Sequence, residues 1–60
     1  MKRKFWAEIH RHWKSEPRFG YFEIYCSKHD VAKVKHICKE YGVEFDVYEF
    51  VNQAIVSVKL

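Results

Sequence analysis

Glycine and proline are scarce, two and one in 60 residues. That excludes collagen-like, linker and low-complexity chains. No apolar run approaches the length of a membrane span, so none is expected. Only two cysteines are present. A small secreted disulfide framework generally needs more, and a soluble protein of a reducing, cytoplasmic compartment is the expectation. The basic start, Met1-Lys2-Arg3-Lys4, is followed by Phe5-Trp6-Ala7-Glu8-Ile9-His10, which breaks the apolar stretch a secretory leader requires. No glycine-rich phosphate loop and no nucleophile elbow occurs around Ser15, Ser27 or Ser57. The length excludes a second domain and any large enzyme scaffold, so catalysis is not expected.

What is present is apolar and aromatic: 48% and 18% of the residues. That is too much for a disordered tail. A single domain over 1–60 follows, with a thin core, since a chain this short buries only about 60% of the surface it exposes when unfolded. Charge is uneven. Residues 1–42 hold 10 basic and 5 acidic groups, and 43–60 hold 1 and 3. A net +3 with this gradient suits either an RNA partner or an acidic protein groove.

Period-two alternation predicts strands at four places. In 4–13, Phe5, Ala7, Ile9 and Trp13 share one face, with Arg11 as an exception. Lys14–Arg18 is polar, and Pro17 cannot donate to a ladder, so it is expected to be a hairpin loop. Residues 19–26 form the returning strand, with Phe22, Ile24 and Cys26 on one face. Ser27 and Asp30 are spaced for a capping box. Val31, Val34, Ile37, Cys38 and Tyr41 then recur at helical steps, and Gly42 follows where a left-handed residue ends a helix. Residues 43–51 and 54–60 alternate again, with Leu60 on the inner face of the last strand. The fold class is therefore α+β, in the order β-β-α-β-β, with one helix on one face of a four-stranded, mainly antiparallel sheet. A right-handed crossover is expected to bring the hairpins together through the first and third strands.

One helix leaves the other face of such a sheet open. The residues assigned to it are Trp6, His10, His12, Phe19, Tyr21, Tyr25, Tyr48, Phe50 and Ile55, among Glu8, Glu23, Glu44, Asp46 and Lys59. An aromatic patch on so small a domain marks an interaction surface. Cross-strand packing of half-exposed tyrosines, or a homodimer through the same face, would also account for it. Base stacking is a further use of such rings, but the carboxylates among them would repel phosphate. His10-x-His12 and Cys26-x-x-His29 have spacings a metal can use. Cys26 and Cys38 fall at core positions, however, where a thiol behaves as a small hydrophobe. No metal and no cofactor is expected.

Trp13-Lys14-Ser15-Glu16-Pro17-Arg18-Phe19, Glu23-Ile24 and Lys28-His29-Asp30-Val31 together resemble the Dmd antitoxin family of T4-like bacteriophages. The match covers about a third of the chain. Lys33 and Gly42 stand where the family carries an aromatic and an amide. The resemblance implies a phage protein that binds and blocks a host endoribonuclease toxin of the RNase LS type, without chemistry of its own. On this reading the partner contacts are Trp6, Tyr21, Tyr25 and Tyr48 on the sheet, and Lys33, Lys35, His36 and Lys39 on the helix flank. The alternative is a small RNA- or DNA-binding module that uses the basic, aromatic surface.

Overall fold

The structure, a computed structural model, describes residues 2–59, apart from the side chain of Lys2. Leu60 lies outside the described residues. Helix α1 spans Lys2–His12, followed by strands β1, Lys14–Arg18, and β2, Tyr21–Cys26. A short 3-10 turn, Lys28–Asp30, leads into helix α2, Val31–Tyr41, and strands β3, Phe45–Glu49, and β4, Ala54–Lys59, close the chain. The expected β-β-α-β-β order is present, with α1 added in front of it. All strand pairs are antiparallel and the sheet order is β1-β2-β4-β3.

The segment expected to be the first strand is a helix. Phe5, Ile9 and Trp13 are spaced by four, which satisfies both two strand repeats and about one helical turn. Arg11, the exception to alternation, joins Lys4 and Ala7 on the outer face of the helix, where all three are exposed. Phe5 and Ile9 are fully buried. Lys, Arg, Ala and Glu favour the helical state intrinsically.

Lys14–Arg18 is a strand, not a loop. Pro17 is tolerated because it lies on an edge strand. The turn is Phe19-Gly20 instead, where Gly20 adopts φ 86, a conformation glycine enters without a Cβ clash. The capping box does not form: Ser27 makes no side-chain cap bond. The Asp30 carboxylate instead accepts a hydrogen bond from Trp13 Nε1 at 3.2 Å. At the far end of α2, Gly42 has φ 69, and the amides of Gly42 and Val43 bond back to the carbonyls of Lys39 and Cys38. That is a glycine-terminated Schellman end.

Strand order also departs from expectation. The hairpins meet through β2 and β4, not through the first and third strands. Ala54, Val56 and Val58 make β4 the most apolar strand, and Ile24 and Cys26 make β2 the next. The central places bury most, so these two take them, and the charge-bearing β1 and β3 go to the edges. Both helices cover the same face. The ring of Trp6 in α1 packs edge-on against Phe22 of β2 at 4.7 Å from Phe5 and 4.3 Å from Phe22, and α2 lies over β4. The core comprises Phe5 and Ile9, Val31, Val34, Ile37 and Cys38, and the inner residues of β2 and β4. The Tyr41 hydroxyl donates to Glu8 at 3.2 Å, joining the helices. Both cysteines are buried and free. Burial raises the Cys38 thiol to about 11 and pushes Cys26 up as well, assisted by Asp30.

Helix and strand readings of 2–12 make opposite predictions for Ala7. Phe5→Ala should cost about 3–5 kcal/mol in thermal or denaturant unfolding. Ala7→Glu, on the outer face of the helix, should stay within about 0.5 kcal/mol of the parent. Comparable losses at both positions would instead place them on one strand face.

Candidate protein-docking face

The register of the strands places the outward side chains of the uncovered face in three rows. Lys14, Tyr25, Ile55 and Tyr48 are consecutive partners across the sheet. Glu16, Glu23, Ser57 and Asp46 form the next row. Arg18, Tyr21 and Lys59 form the third, and Lys59 reaches the Glu44 carboxylate at 3.9 Å. The face is thus an apolar and aromatic row, an acidic row and a cationic row, side by side.

Glu16 opposite Glu23 would be destabilising alone, since like charges are directly paired across strands. Arg18 resolves the conflict. Its Nη2 donates to Glu16 at 2.7 Å and its Nε to Glu23 at 2.8 Å. Arg18 Nη2 also donates to the Tyr25 hydroxyl at 3.2 Å, and that hydroxyl donates to Glu23 at 2.8 Å. The hydrogen bond from Arg18, then that from Tyr25, holds the Glu23 carboxyl below its ordinary range. The same bond to Glu23, followed by desolvation, pushes the Tyr25 phenol up. Tyr25 is therefore a neutral, anchored ring.

Beside this network lies an open trough of about 690 Å³. Tyr21, Tyr48, Phe50 and Ile55 supply its apolar lining, and Glu23 and Asp46 its acidic groups. Tyr48 and Phe50 are 55% and 52% exposed, so about half of each ring is available to a partner. A second hollow of about 430 Å³ lies between the helices, bordered by Glu8, His12, Trp13, Lys33, His36 and Ile37.

Tyr21, Tyr25 and Tyr48 stand on the uncovered face, as expected. Trp6 does not. It lies on α1, half-buried against Phe5, Phe22 and His10, on the covered side. His10, His12 and Glu8 also belong to α1, and Phe19 occupies the turn tip, so the expected face loses them too. His10 and His12 are about 160° apart around the helix and cannot chelate one ion together. Among the described residues, no group of three or more His, Cys, Asp or Glu side chains is placed to hold a metal.

The four residues of the α2 flank do not form one patch. Lys33 and His36 border the groove beside α1. Lys35 lies about 160° from Lys33 around the axis, on the other flank with Lys39. The whole of α2 is on the side of the sheet opposite the trough. Arg18 and Glu16 escaped the sequence reading because Pro17 suggested a loop. The alternation Lys14, Glu16, Arg18 was the signal that would have found them.

Charge divides with the layers. The helical elements, 2–12 and 28–41, contain 8 basic and 3 acidic residues, and the rest of the chain contains 3 and 5. All four histidines are also in the helical elements. The protein is therefore electrically two-sided: the helices are strongly basic, whereas the open face, with Lys14, Arg18 and Lys59 against Glu16, Glu23, Glu44 and Asp46, is close to neutral.

Glu23 is held ionised in the folded state, so its contribution to stability is present above the ordinary carboxylate range and is lost as pH falls through its lowered value. Arg18→Ala should raise the Glu23 titration midpoint, read by carboxyl-carbon NMR, and weaken the pH dependence of stability in the acid range. An unmoved midpoint would mean that Arg18 does not govern this carboxylate. Comparison with known proteins identifies no relative: no family model, no curated protein and no solved structure matches the chain.

Proposed function

We propose that the protein is a non-enzymatic inhibitor that docks the open face of its sheet on a host endoribonuclease in the cytoplasm. The resemblance to the Dmd antitoxins supplies the class of partner. The observation that carries the docking surface is the row of carboxylates beside exposed rings on the one uncovered sheet face. An RNA-cleaving enzyme binds a chain of negative charges bearing stackable rings. Glu23 and Asp46, with Tyr21, Tyr48 and Phe50 alongside, offer the same two features on a folded surface. Such a face competes for a basic cleft without presenting a cleavable bond. Charge division between the layers orients the encounter, turning the strongly basic helices away from a basic partner and the open face toward it. Among the described residues, no helix is long and apolar enough to cross a membrane.

The test is RNA cleavage by an RNase LS-type toxin titrated with the protein. An aromatic anchor at the centre of an interface is worth about 2 kcal/mol or more. Tyr21→Ala and Tyr48→Ala should therefore raise the inhibition constant about thirtyfold or more. If neither changes inhibition beyond about twofold, the face is not the contact.

Excess positive charge on the helices favours a second reading, nucleic-acid binding. Arg3, Lys4 and Arg11 are exposed on α1, and Lys33 and Lys39 on α2. The rings of the open face are on the other side of the molecule, so these cations lack the stacking platform that would accompany a single-strand site. Binding of this kind would weaken linearly on a log–log plot as salt rises. A mobility shift with single-stranded RNA is expected to show no complex even at low salt. A complex with a steep salt slope would favour the nucleic-acid reading over the inhibitor.

A further inference from the structure

The two edges of the sheet are not equivalent, and the hydrogen-bond phase shows why. Lys59 N donates to Glu44 O at 3.0 Å and Phe50 N to Gln53 O at 2.8 Å. These pairs continue the β3–β4 register, so the even-numbered residues of β3 bond inward to β4. The N–H and C=O groups of Phe45, Val47 and Glu49 consequently point away from the sheet. Carrying the alternation through β4 and β2 makes Tyr21, Glu23 and Tyr25 the residues that bond to β1. Ser15 and Pro17 then face outward from β1. Pro17 has no N–H to offer, so the β1 edge is interrupted at its centre.

The β3 edge has no such interruption. It contains no proline, and its positive-φ positions are none. Phe45 and Val47 are on the inner face yet only half-buried, because the layer above them stops short. Glu44 and Asp46 are exposed on the open face along the same margin, and Glu49 is exposed on its inner face. A second copy pairing through this edge would bring the two open-face carboxylates of each copy, Glu44 and Asp46, close to those of the other, at a cost in like-charge repulsion. A strand carrying cations would remove that repulsion instead.

We propose that the β3 edge accepts an extended peptide segment by strand addition, and that the segment alternates basic and apolar residues. Its apolar side chains extend the inner layer beside Phe45 and Val47. Its lysines or arginines stand on the open face beside Asp46, and its backbone bonds to Phe45, Val47 and Glu49. The inference concerns the margin of the sheet and holds whether or not the trough docks on a nuclease. Tyr21→Ala tests the trough and leaves the edge intact.

The probe is a short capped peptide alternating Val and Lys, titrated at low salt into isotope-labelled protein and followed by amide NMR. Saturable shifts and slowed hydrogen exchange are expected at the amides of Phe45, Val47 and Glu49. A matching Val–Glu peptide should leave them unchanged. Val47→Pro deletes only an outward N–H, as Pro17 already does on β1, and should weaken the peptide about fivefold. Glu44→Lys, exposed on the open-face side and outside the trough, should weaken it too and serves if Val47→Pro fails to fold. Shifts confined to the helices or to Tyr21 and Tyr48 would overturn the proposal. So would affinity retained within about twofold in the folded variants, or a dimer by ultracentrifugation that closes the edge without peptide.

Discussion

Burial of Ile24, Val56 and Val58 beneath Phe5, Ile9 and Val34 is the contact on which the rest of the molecule stands. All six side chains are removed from water, and they come from the two central strands and both helices. Hydrophobic burial is the main favourable term available to so short a chain. It is concentrated on one face of the sheet because both helices pack there. The cost of ordering sixty residues has to be met from that one layer. The opposite face is left to polar and aromatic side chains whose packing is partial.

From that one-sidedness the surface chemistry follows. On the uncovered face each side chain is constrained by its cross-strand neighbours, not by a second layer. Arg18 holds two carboxylates that would otherwise repel, and Tyr25 is fixed as part of the same network. Tyr48 and Phe50 have no comparable restraint and remain half in water. The face thus combines a pre-organised charged patch with accessible rings. The proposed inhibitor function takes its partner class, a nuclease, from the resemblance in 13–31 alone.

Edges of the sheet add a second asymmetry. Proline on β1 and carboxylates along β3 both discourage self-pairing, but by different means. An absent N–H blocks every strand, whereas negative charge blocks only some. The β3 margin is therefore selective, and it adjoins the trough through Asp46 and Tyr48.

The amino-acid order alone determined the elements whose periodicity admits one interpretation. Val31 to Tyr41 steps by three and four and ends at Gly42, so α2 was legible to its last residue. Alternation in 21–26 and 54–58 assigned Tyr21, Tyr25, Ile24, Val56 and Val58 to their faces. Spacings of four in 2–13 fit a helix and a strand equally, and only packing Phe5 and Ile9 into a shared core separated them. Strand order, the edge position that makes Pro17 harmless, and the alignment of Glu16, Glu23 and Asp46 in one row were decided by tertiary structure. Each depends on which segments lie side by side, and pairing partners distant along the chain leave no mark in local periodicity.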